Sequence, residues 1–183
     1  MRQRVMVTAV LLLAAALPLF AADGGFAQPI LLTSCGQSAD VLMMKTLLTR
    51  DSLNFSYVPD AKAADVAGKG SLIVVIGGSS KGLGAAKISA EDESARVNAL
   101  LDAAHKANVP VLAVHLGGMN RRGALSDPFN QIGAENAAKI IVVKGGNDDG
   151  FFTKIAEEKQ IPLQTASNAL EIAGIVKQAY DAK

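Results

Sequence analysis

The sequence contains no tryptophan and only two tyrosines, Tyr57 and Tyr180. That scarcity removes the aromatic platforms on which single-stranded nucleic acids stack. It has one cysteine, Cys35, which excludes an internal disulfide. It has two histidines, His105 and His115, too few for an ordinary transition-metal site. It also lacks a strong charge of either sign, with 18 basic and 17 acidic residues. The first 27 residues hold Arg2, Arg4 and Asp23, and without them the two signs balance. A neutral body exerts no general pull on nucleic acid or on anionic lipid.

Half of the 183 residues are apolar, enough to bury a core of one domain. The amino terminus has a different character. Arg2 and Arg4 precede an uncharged run from Val5 to Phe20, and Asp23-Gly24-Gly25 breaks it. Gly25-Phe26-Ala27 then places small residues at both cleavage positions of a signal peptide. Residues 1–27 are therefore expected to be a leader cut after Ala27, with 28–183 forming a single α/β domain that is exported and then periplasmic or secreted. The run is short for a spanning helix and contains Pro18, so no membrane insertion is expected after cleavage. Leu32-Thr33-Ser34-Cys35 has the look of a lipidation box, but a polar break and Pro29 separate it from the apolar run.

The remainder alternates short apolar runs with helical patterns, the signature of βαβ units around a parallel sheet. Strands are expected near Pro29–Thr33, Phe55–Val58, Leu72–Ile76, Val111–His115, Ile140–Val143 and, at an edge, Ile161–Gln164. Leu72-Ile73-Val74-Val75-Ile76 is apolar at every position and belongs in the centre. Helices are expected from Ala39 to Arg50 behind Ser38, from Asp60 to Ala67, and from Ser89, with capping-box spacing to Asp92, to Asn108. Asp127-Pro128 opens a further helix with Gly133 as its stop. Asp148 or Asp149 caps the next, and Asn168 with Glu171 opens the last. The expected fold is a three-layer α/β/α sandwich with a mainly parallel sheet of five or six strands, flavodoxin-like first and Rossmann-like as the alternative.

Ligands of open parallel sheets bind beyond the carboxyl ends of the strands. Four loops there are rich in glycine, small polar residues and cations: Ser34-Cys35-Gly36-Gln37-Ser38, Gly77-Gly78-Ser79-Ser80-Lys81-Gly82-Leu83-Gly84, His115 to Gly123, and Lys144 to Gly150. Their amides and the side chains of Ser34, Ser79, Lys81 and Arg121 suit an anion, with Arg122 and Lys144 as further cations. Gln37, His115 and Asn147 are the candidates for orienting it. The expected ligand is a small anionic solute.

Residues for three other chemistries are present in part. Gly78 to Gly84 matches the glycine spacing of short-chain dehydrogenases. However, it follows the third strand, no Tyr-x-x-x-Lys pair exists, and no helix signal resumes before Ser89. No cofactor is expected. Cys35 before a helix start, with His115 at the end of another strand, raises a cysteine-dependent hydrolase or transferase as an alternative. Asp148 and Asp149 read as caps rather than metal ligands. A third possibility is a non-catalytic adaptor within an envelope assembly. The balance leans away from an enzyme.

Four blocks taken together, Ile30 to Ser38, Ile76 to Ala85, Arg121 to Asp127 and Val143 to Gly150, resemble an uncharacterised family of exported bacterial proteins, domain of unknown function 6305. The resemblance implies an exported α/β domain and carries no catalytic residues.

Overall fold

A computed structural model describes residues 25–181. Six strands form one sheet: β1 (Ile30–Cys35), β2 (Phe55–Tyr57), β3 (Ser71–Ile76), β4 (Val111–His115), β5 (Lys139–Val143) and β6 (Leu163–Ala166). Their order is β2-β1-β3-β4-β5-β6, and every neighbouring pair is parallel. This is the flavodoxin-like order with one strand added. The leader expected over residues 1–27 falls almost wholly outside the described residues.

Chain direction decides which face each helix covers. From β1 the chain steps outward to β2, then returns past β1 to β3 and proceeds outward on the other side. Right-handed crossovers in opposite directions put their helices on opposite faces. Helix α1 (Asp40–Arg50) therefore packs on one face, joined by the final helix α6 (Ala169–Asp181). Helices α2 (Ser80–Ala86), α3 (Ala90–Lys106), α4 (Asp127–Glu135) and α5 (Phe151–Lys159) cover the other. The two inner faces of the sheet feed two cores, as the fully buried strands β1, β3 and β4 require.

Local chemistry explains the elements. Ser89 and Asp92 close the expected capping box of α3, whose Val97, Leu100, Leu101 and Ala104 are buried. Asn168 caps α6 through the amides of Leu170 and Glu171.

Four expectations are corrected. The segment Asp60–Ala67 makes only a single 3-10 turn, Ala63–Val66. A helix does follow the glycine loop directly: α2 starts at Ser80, capped by Ser79 and anchored by buried Leu83. Gly133 does not stop α4. It lies within the helix because a Cβ there would run into Ile76, so the glycine brings α4 down onto the sheet. The cap of α5 is Asn147, whose Oδ1 accepts from the amides of Phe152 (2.8 Å) and Thr153 (3.3 Å). Of the α5 amides Asp149 accepts only that of Phe151, and Asp148 is exposed.

Candidate functional site

Because all six strands are parallel, the loops after β1, β3, β4 and β5 emerge along one edge, called here the rim. The topological switch point falls between β1 and β3, where a crevice normally opens. In this protein the chain closes it. Gln37 and Gly78 form an isolated bridge, and the amides of Gly77 and Ser79 donate to the carbonyls of Cys35 (3.0 Å) and Gly36 (2.9 Å). Gly82, inside α2, sits so close beneath the Gln37 carbonyl that only glycine fits.

A buried ion pair that the sequence reading did not single out holds the β1 loop from below. Glu93, fully buried in the first turn of α3, accepts from the Gly36 amide (2.9 Å), Gln37 Nε2 (3.1 Å), and Arg96 Nε and Nη2 (2.7 Å each). Arg96 also donates to the carbonyls of Ala61 and Ser34. Gly36 and Gln37, expected to face a ligand, are thus committed to a carboxylate. The amide of Gly78 is likewise committed to Ser126 Oγ (3.1 Å). Ser79 caps α2, Ser80 is its exposed first residue, and Ser34 lies buried at the end of β1 with Oγ unpartnered.

The expected partnership of Cys35 with His115 does not form. Both side chains lie on the α3–α4 face, but β3 runs between their strands, so their backbones are roughly 9–10 Å apart. Cys35 is wholly buried and donates to the Phe129 carbonyl (3.3 Å). Burial, with the charge of Glu93 acting in the same direction, pushes its thiol up to about 12. A thiol so held is not a nucleophile at neutral pH. His115 is also buried. Its Nε2 donates to the Gly118 carbonyl (3.1 Å), and its ring packs on Phe152 with centroids 5.0 Å apart.

The two adjacent arginines after β4 diverge. Arg122 turns toward α5. It donates to Asp127 (2.7 Å), Asp149 (2.8 and 2.9 Å) and the Gly146 carbonyl (2.7 Å), and its guanidinium lies 4.3 Å from the Phe151 ring centroid. Hydrogen bonding to Arg122 holds the Asp149 carboxyl down at about 2. Arg122 is a structural clamp joining two rim loops, with no donor to spare. Arg121 turns the other way, across the ends of β3 and β4. Its aliphatic stem occupies the space that side chains at Gly77 and Gly117 would fill. Gly77, at φ +139°, has the conformation that glycine alone adopts easily. Arg121 Nε donates to Ser38 Oγ (2.8 Å) and Asp40 Oδ2 (3.0 Å), while Nη1 and Nη2 donate to no protein atom among the described residues. Lys81 and Lys144 are exposed at the flanks. Asn147, expected to orient a ligand, spends its side chain on α5 and Thr153.

Among the described residues no group of three or more histidine, cysteine or acidic side chains is arranged to hold a metal, and no helix is long and apolar enough to cross a membrane.

The fold and rim define a doubly wound, flavodoxin-like α/β domain with its switch-point crevice closed. The chain belongs to the family described as Domain of unknown function (DUF6305), whose model matches residues 27–180. No curated protein matches it. Among solved structures, the psychrotrophic esterase EstA from Pseudoalteromonas sp., inhibited by monoethylphosphonate, aligns at 8% identity over 84% of this chain and 94% of its own, with a TM-score of 0.30. A likeness that weak carries no argument about fold or activity.

Proposed function

We propose that this protein binds a small oxyanion, a carboxylate or phosphate group, on the rim, using the terminal nitrogens of Arg121. One observation carries the reading: Arg121 is immobilised by its stem and by Nε, yet both terminal nitrogens remain unspent. A planar fork fixed at its base and open at its tip suits bidentate recognition of an oxyanion. The saturated neighbour Arg122 shows how an arginine with a purely structural task is used in the same loop. Exposed Lys81 and Lys144 add positive charge on the loops of the same rim. Because the crevice is closed, the ligand rests on the rim rather than sinking between the strands.

The test is thermal shift and calorimetry across carboxylates, phosphates and sulfate. Binding to the folded state raises Tm, and Arg121→Ala removes the shift. A Tm indifferent to every member of the panel refutes the reading.

A second reading, an adaptor that docks another protein through the rim, draws on a separate observation. Among the described residues the exposed large hydrophobics are Leu42, Met43, Met119, Leu125 and Leu170; Leu42 and Met43 lie in the first turn of α1, Met119 and Leu125 between β4 and α4, and Leu170 in the first turn of α6. A partner that co-purifies with wild type and is lost with Met119→Ser and Leu125→Ser supports it. We further propose, from the leader-like first 27 residues, that the domain works outside the inner membrane.

A further inference from the structure

The turn that carries Arg121 is pinned at both ends by buried polar side chains, and each of the two keeps one buried atom without a partner. His115 holds the start of the turn, donating from Nε2 to the Gly118 carbonyl. A carbonyl only accepts, so the neutral ring carries its lone pair on Nδ1. Asn130, fully buried in α4, holds the end, with Nδ2 donating to the Arg121 carbonyl (2.9 Å) and to Asp127 Oδ1 (3.3 Å). That fixes the amide: flipping it would set Oδ1 against two acceptors. The atoms left over, His115 Nδ1 and Asn130 Oδ1, are both buried and unpartnered. The Asn130 side chain lies where it favours the protonated ring. In the neutral protein two buried acceptors are therefore left without donors beneath the turn.

We propose that His115 is the proton-sensing element of the rim: it takes up a proton at Nδ1, donates it to Asn130 Oδ1, and thereby strengthens oxyanion binding at Arg121. The inference rests on the reading of Arg121 given above. Proton uptake closes a chain of hydrogen bonds from the Gly118 carbonyl through His115 and Asn130 to the Arg121 carbonyl, bracing the turn. It also adds positive charge on the side of the turn opposite the ligand.

Burial of the ring opposes the proton most strongly, and neighbouring groups adjust the balance. From the β4 loop, Arg122 opposes the proton, its charge matched by Asp127 of α4 and by Asp149. From α1, Asp40 favours the proton, while already paired with Arg121. Phe152 of α5, Gly146, and Val142 on the paired strand are uncharged. His105 lies near the far end of α3, away from the rim.

The experiment is sulfate titration by calorimetry between about pH 7.5 and pH 5, at constant ionic strength. This range spans ordinary imidazole titration and stays above the ordinary carboxylate range. Sulfate remains a dianion throughout. Wild type should bind roughly fivefold or more tightly at the lower pH, with proton uptake visible as heat that depends on the buffer. In His115→Gln the affinity should be flat with pH. Should that variant fail to fold, histidine 15N spectra of wild type replace it: His115 should be the Nε2–H tautomer when neutral, and sulfate should raise its pKa. Sulfate affinity that is independent of pH, or a pH dependence surviving in His115→Gln, overturns the inference and leaves the Arg121 reading standing. An Nδ1–H neutral tautomer, or a His115 pKa unmoved by sulfate, does the same. Absence of sulfate binding at either pH overturns the inference, and overturns the Arg121 reading as well when the carboxylates and phosphates of the panel also fail to bind.

Discussion

Replacing Glu93 with glutamine removes one charge and no volume, and it strikes the contact that holds the β1 loop. The carboxylate accepts four hydrogen bonds, two at each oxygen. Oε1 takes the Gly36 amide and Arg96 Nη2, and a glutamine oxygen there keeps both. Oε2 takes Gln37 Nε2 and Arg96 Nε, and a glutamine nitrogen there faces two donors. Gln37 can turn its amide over to restore one; Arg96 Nε cannot adapt. The remaining effect is electrostatic: Arg96, with 12% of its side chain exposed, loses its counter-charge. Breaking a buried pair by removing one partner costs about 3–5 kcal/mol. With half the contacts retained, Glu93→Gln should fall at the low end, about 3 kcal/mol. In a domain of this size that lowers Tm by roughly 6–12 °C. Urea and thermal unfolding measure it. A companion pair checks the cause: Glu93→Leu with Arg96→Met should be more stable than Glu93→Leu alone, because the stranded guanidinium has gone. A Tm loss below about 2 °C for Glu93→Gln, or a double variant no better than the single, refutes the reasoning.

Further outcomes follow from the same contacts. With its thiol pushed up to about 12, Cys35 should react with a disulfide reagent only as fast as the protein opens; rapid labelling of the native state would contradict its burial. His115 has its pKa lowered, chiefly by burial, so the unfolded chain binds its proton first as pH falls. Stability from this group is present above the unfolded value of about 6.5 and is lost as pH drops through the folded value. Urea midpoints of wild type and His115→Gln across that range should diverge accordingly, and parallel curves would count against it. Gly133→Val should cost about 1–3 kcal/mol by overpacking against Ile76, read by thermal denaturation. Asn147→Ala should cost about 1 kcal/mol as a lost helix cap, and an unchanged midpoint would show that another group caps α5.

The sheet was legible because its central strands are buried and largely apolar on both faces, and the capping box at Ser89 marked α3 for the same local reason. The convergence of four loops followed from parallelism alone. What was hidden depends on contacts distant in sequence. Glu93 and Arg96 are three residues apart on an amphipathic helix, and nothing local marks them as buried; only the crossover that lays α3 under β1 buries them. Helix α2 carries two glycines and one large apolar residue, so its pattern is too weak to read, and Leu83 with the Gln37 carbonyl does the holding. Arg121 and Arg122, neighbours in one loop, were both expected to serve an anion, Arg121 first. Adjacent residues point apart, and that divergence separates a clamp from a candidate ligand-binding group.

The packing of Phe26 against Tyr180, with ring centroids 5.9 Å apart, has a practical consequence. The Phe26 amide bonds the Ala179 carbonyl, and the Tyr180 hydroxyl meets Ser71 Oγ at the start of β3. Both ends of the folded unit therefore leave from the pole opposite the rim. A biosensor linker, a fluorophore or a fused carrier attached before Phe26 or after Tyr180 would leave Arg121 facing open solution, so immobilised protein should present its binding edge unobstructed.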